Sequence, residues 1–88
     1  MQVGNHAFLP VVAVYDRRLS SKSVWLLGWL WLLADGRGRI YLSPEGIAVR
    51  CRIKQLAVKR DIVPLISCGY LREIATSAYE LAIPLKPA

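Results

Sequence analysis

Five of the twelve basic residues, Arg50, Arg52, Lys54, Lys59 and Arg60, fall within eleven consecutive positions, and no Asp or Glu interrupts them. Cations at that density neutralise phosphate, and Gln55 in their midst adds an amide that can pair with a base edge. Arg37 and Arg39, on either side of Gly38, form a smaller basic group. The remaining reactive side chains assemble into no centre. Cys51 and Cys68 are separated by sixteen residues and belong to no CxxC pair. That spacing makes neither a disulfide framework nor a zinc site, and implies two small buried hydrophobes in a reduced compartment. His6 is the only histidine, so a metal centre or a Ser-His-Asp relay lacks partners. Carboxylates do not pair up, and Gly36-Arg37-Gly38 is too short to cradle a phosphate. These observations point to a binding protein that is not an enzyme and needs no cofactor or small-molecule substrate.

Composition adds a second surface. The chain has 88 residues, 55% of them hydrophobic, and a net charge of +6. Such a length forms one domain, taken as 1–88, and the apolar content excludes disorder. A domain this small buries only about 60–65% of the surface its unfolded chain exposes. Its apolar surplus therefore implies self-association or docking. The longest apolar run, Val24 to Ala34, is eleven residues between Lys22 and Asp35, well short of the roughly 20 that span a membrane. Met1 to His6 lacks the basic-then-apolar pattern of a signal peptide. A soluble, cytoplasmic protein without a membrane partner is expected.

The elements that must position these residues can be placed in order. Residues 1–15 form an apolar lead-in, expected to be extended. Ser20 or Ser21 caps a first helix running to about Ala34, and Asp35-Gly36 stops it. Arg39-Ile40-Tyr41-Leu42 predicts a short strand. Ser43-Pro44-Glu45 has a cap, a proline at the first helical position and an acid in the first turn, which together start a second helix. Ile47, Ala48 and Cys51 face its inner side. Ile53 sits where a turn should fall. A third helix follows from about Lys54 to Ser67, with Val58, Ile62, Leu65 and Ile66 on one stripe. Pro64 lies within it and predicts a kink, or a restart capped by Asp61. Gly69 ends the helix. Tyr70–Ile74 and Tyr79–Ile83 predict two strands around Ala75-Thr76-Ser77-Ala78, a hairpin over 70–84 closed by Pro84 and Pro87.

Helix, short strand, helix, turn, helix, hairpin is the order of a winged helix-turn-helix domain, an α+β fold of three helices with a short β-hairpin wing. The sequence resembles that superfamily at Ile47-Ala48 before the turn, Ile53 within it, Val58, Ile62 and Leu65 in the recognition helix, and Gly69-Tyr70-Leu71 leading into the wing. The resemblance covers roughly Leu19 to Ile83. Asp16 to Leu33, Gly36-Arg37-Gly38-Arg39-Ile40 and Ser43-Pro44-Glu45 also look like the N-terminal domain of phage replisome-organiser and plasmid replication-initiator proteins. The resemblance implies double-stranded DNA as partner, and a transcriptional regulator or replication accessory factor of a phage, plasmid or mobile element. In that arrangement Arg50 and Arg52 flank the turn and grip backbone. Gln55, Lys59 and Arg60 lie away from the Val58–Ile62 stripe and face base edges, while Arg37 and Arg39 add backbone contacts.

Two features favour a different partner. The wing tip Ala75-Thr76-Ser77-Ala78 carries no Lys or Arg, and Leu56 and Pro64 place apolar or rigid groups on the helix that should face DNA. A winged helix that docks on protein, such as a small phage-encoded inhibitor of a host nucleic-acid-binding enzyme, is the alternative. The first helix is apolar on nearly every side. Trp25 and Trp29 share one face, and Trp31 lies round toward Leu27. Trp25, Trp29, Trp31 and Leu32 are candidates either for core packing or for the interface of a homodimer or protein partner.

Overall fold

The computed structural model describes residues 11–82. His6, Phe8-Leu9-Pro10, Ile83, Pro84 and Pro87 lie outside that range. Helix α1 spans Val11–Val14, α2 Ser21–Leu33, α3 Pro44–Cys51 and α4 Gln55–Ser67, with strands β1 Arg39–Ile40, β2 Leu71–Ala75 and β3 Ala78–Leu81. The three main helices are followed by an antiparallel hairpin, and β1 joins it to give a three-stranded sheet in the order β1-β3-β2. This is an α+β domain of winged helix-turn-helix topology.

Local chemistry explains the helix starts. Ser20 is extended and its hydroxyl accepts the Ser23 N–H at 3.1 Å, so Ser20 is the serine that caps α2. Ser43 does the same for α3 by accepting the Gly46 N–H at 3.2 Å, with Pro44 at the first helical position. Two helix ends use one motif. After α4, Gly69 at φ 88° turns the chain and the Tyr70 N–H returns to the Leu65 carbonyl at 2.9 Å. After α3, the Ile53 N–H returns to the Ala48 carbonyl at 3.0 Å, but the left-handed position is occupied by Arg52 at φ 57°.

Helix α2 buries one stripe, Ser23, Leu26, Leu27 and Leu30, at the i, i+3, i+4, i+7 spacing of a helix face. That stripe meets Ile47 of α3, Val58 and Leu65 of α4, Ile40 of β1 and Leu71 of β2, all 2% exposed or less. Tyr70 and Tyr79 complete the core from the sheet side. On the opposite sheet face, Glu80 of the central strand is registered against both Arg39 and Arg72. It makes ion pairs to each, with Arg39 at 3.6 Å.

The structure corrects several expected details. Val11–Val14 is helical rather than extended, with Ala13 wholly buried. Strand β1 is confined to Arg39–Ile40, the two residues registered against Glu80 and Tyr79 of β3, so Tyr41 and Leu42 lie outside it. Helix α4 runs unbroken through Pro64, so no restart occurs there. Asp61 is a buried member of the helix and not a cap, and Ile66 points outward. The hairpin turns at Thr76-Ser77, with Ala78 already inside β3, and a register shift between Glu73 and Ala75.

Candidate nucleic-acid interface

The α3–turn–α4 unit carries the basic run. Arg50 sits in the last turn of α3, Arg52 is the left-handed residue that reverses the chain, and Lys54 precedes the first turn of α4. All three are exposed, as are Lys59 and Arg60 in the next turns. Among the described residues Arg50, Arg52, Lys54 and Lys59 make no ion pair. Lys54 offers no side-chain acceptor to the first amides of α4, so the positive end of the helix stays open beside these cations.

The other expected residues divide differently. Arg60 is held by its neighbour. Its Nε and guanidinium nitrogen donate to the two Asp61 carboxylate oxygens at 2.9 and 3.2 Å, and this hydrogen bonding raises the Arg60 pKa further. Gln55 donates to the Glu45 carboxylate at 3.2 Å, tying the start of α4 to the start of α3. Arg39 belongs to the sheet, paired with Glu80. Arg37 is exposed and makes no ion pair among the described residues; its N–H and that of Arg39 both donate to the Asp35 carboxylate, which they hold below the usual carboxylate range.

The outward face of α4 is not uniformly polar. Leu56 is 78% exposed and Val63 57%, with Lys59 and Arg60 between them in sequence. Val49 of α3 is also exposed. The four interface candidates on α2 separate: Trp25 and Leu32 are about half exposed, at 50% and 52%, whereas Trp29 and Trp31 are partly buried against the core. Trp25 meets Trp29 edge to face, with ring centroids 5.8 Å apart. Beneath Trp25 lies a hollow of about 260 Å³ between α2 and α4, lined by Lys22, Trp25, Ile53, Ala57, Arg60 and Asp61.

Two structural contacts were not read from the sequence. The Ser23 hydroxyl, fully buried, donates to the Asp61 carbonyl at 2.9 Å and joins α2 to α4. Pro64 has no N–H, so the neighbouring Arg60 carbonyl loses its helical partner in this turn. A serine on an otherwise leucine stripe was the available signal. The Asp16 carboxylate receives two hydrogen bonds from the Arg18 side chain, at 2.9 and 2.7 Å, and one from the Tyr70 hydroxyl at 2.9 Å. No spacing rule foretells a contact across 54 positions. Cys51 is buried, and burial pushes its thiol pKa up, so it stays protonated and a poor nucleophile at neutral pH.

Fold and surface together define a small α+β domain of winged helix-turn-helix topology with a basic, partly apolar helix-turn-helix unit. No protein-family model, curated protein or solved structure matches the chain. Among the described residues no helix is long and apolar enough to cross a membrane, and no group of three or more His, Cys, Asp or Glu could hold a metal ion.

Proposed function

We propose that this protein binds double-stranded DNA without catalysing a reaction, as a transcriptional regulator or replication accessory factor of a phage, plasmid or mobile element. One observation carries the reading: four exposed cations, Arg50, Arg52, Lys54 and Lys59, cluster on the helix-turn-helix unit with no carboxylate paired to them among the described residues. Binding is mainly electrostatic. Arg50, Arg52 and Lys54 grip phosphates, and the first turns of α4 enter the major groove. Gln55 and Arg60 join the base-reading set by exchanging their intramolecular carboxylate partners for bases, and Arg37 adds a backbone contact. Arg39, paired with Glu80, contributes only by exchanging that partner as well.

Fluorescence anisotropy of a labelled duplex at rising salt tests this. Four phosphate contacts per subunit, from Arg37, Arg50, Arg52 and Lys54, give a slope of log K against log salt of about −3.6 for each subunit bound. No affinity even at low salt, where phosphate contacts are strongest, overturns the reading.

The exposed Leu56, Val63, Trp25 and Leu32 favour a second reading, a winged helix that docks on protein. A purified partner retained after nuclease digestion, together with absence of DNA affinity, would support it. In the first reading Trp25 and Leu32 instead form the homodimer contact of α2, with Trp29 and Trp31 supporting it from behind.

A further inference from the structure

We propose that α4 recognises the 5-methyl group of thymine through Leu56, so that the duplex this surface prefers is rich in A·T pairs. The inference rests on the DNA-binding reading above and adds to it the group that is read. Leu56 lies on the side of α4 opposite Val58, Ile62 and Leu65 and is 78% exposed. An exposed leucine alone needs no explanation. Its surroundings make the difference. Arg52 and Lys54 precede it, Lys59 and Arg60 follow one turn later, and of these only Arg60 has a carboxylate partner among the described residues.

That setting restricts what can cover the leucine. A cationic rim selects a polyanion, while the apolar centre requires an apolar group at the point of contact. In the major groove of duplex DNA the thymine methyl is the apolar group that the base pairs present. The place of Leu56 within α4 agrees with this, because it falls in the first turn, and the N-terminal residues of a recognition helix are the ones that meet base edges. A polar side chain would read hydrogen-bonding groups there; leucine reads the methyl.

The test compares poly(dA-dT) with poly(dA-dU), two duplexes with the same charge and pairing edges that differ by the methyl. Affinity is measured by anisotropy at one salt concentration for the wild-type protein and for Leu56→Ala, with circular dichroism confirming that both are folded. The wild type is expected to bind the thymine duplex about 4-fold more tightly for each methyl covered. Leu56→Ala keeps only a short apolar group and is expected to shrink that preference toward equal affinity. Equal binding of both duplexes by the wild type, or a preference undiminished in Leu56→Ala, overturns the thymine inference and leaves DNA binding standing. Failure of the wild type to bind either duplex overturns DNA binding itself.

Discussion

Arg52 and Gly69 occupy equivalent positions at the ends of two helices, yet one is an arginine and the other a glycine. A side chain at φ 57° is strained, by roughly 1–2 kcal/mol, because its Cβ crowds the following carbonyl. Glycine relieves that strain but loses more chain entropy on folding, which returns about 0.5–1 kcal/mol. Arg52→Gly is therefore expected to stabilise the domain by up to about 1 kcal/mol in urea denaturation. The same substitution is expected to weaken duplex binding and make the salt slope shallower by about 0.9, one phosphate contact. A variant with unchanged salt slope would show that Arg52 serves the turn alone. Ser23 acts in the opposite sense. Its hydroxyl serves the Asp61 carbonyl in the turn that Pro64 loosens. Ser23→Ala removes this buried hydrogen bond but leaves the Asp61 carbonyl its helical partner, the Leu65 N–H, and should cost about 0.5–1.5 kcal/mol in thermal or chemical denaturation. Neither effect was legible in the residues themselves. The basic run announced Arg52 as a cation but not as a strained one, and Asp61 beside Pro64 looked like a cap when its carboxylate instead holds Arg60.

At the scale of elements, what could be read depended on asymmetry. Helix α3 was legible because Ser43-Pro44-Glu45 marks its start and Ile47, Ala48 and Cys51 mark its inner face. Helix α4 was legible in extent because its stripe of Val58, Ile62 and Leu65 is flanked by charge; Pro64 does not break it, with Ile62 and Leu65 buried on either side of it and the Ser23 hydroxyl meeting the Asp61 carbonyl in the preceding turn. Helix α2 was legible as a helix and illegible in orientation. With tryptophan or leucine on every side, its sequence does not say which stripe is covered, and packing decides for Ser23, Leu26, Leu27 and Leu30. Trp25 and Leu32, seven residues apart, are then left on the outer face with Gly28 between them. If that face is the dimer contact of the DNA-binding reading, the wild type sediments as a dimer at micromolar concentration. The double substitution Trp25→Ser and Leu32→Ser sediments as a folded monomer, with monomer stability lowered by about 1–3 kcal/mol because both side chains are half-buried and Trp25 loses its edge-to-face contact with Trp29. A monomeric wild type at 100-fold higher concentration would remove α2 as a self-association surface.

Across the whole molecule, charge is divided between structure and surface. Asp16 and Asp61 engage their near neighbours Arg18 and Arg60, and Glu80 engages Arg39 and Arg72 across the sheet. The cations of the turn and of the start of α4 are left over. The consequence for folding is a stability that depends on pH from both sides. Hydrogen bonds from Arg18 hold the Asp16 carboxyl far below the usual carboxylate range, and those from Arg72 lower Glu80. A depressed carboxylate stabilises the fold above its unfolded pKa of about 4, and that contribution drains away as pH falls toward the folded value. Burial raises Cys51, Tyr70 and Tyr79, so their neutral forms favour the fold until pH climbs past the unfolded values, beginning near about 8.5. The melting temperature should be flat between about pH 5 and 8 and fall on either side. Asp16→Asn isolates the acid limb, since Asp16 joins the turn before α2 to Tyr70 at the root of the hairpin. At pH 7 that variant should melt below the wild type. The gap should narrow steadily from about pH 4 downward, because the wild type then loses the ionised carboxylate that the variant never had. A gap independent of pH down to pH 2 would mean that Asp16 joins these elements by packing and neutral hydrogen bonds, with its charge adding nothing to the fold.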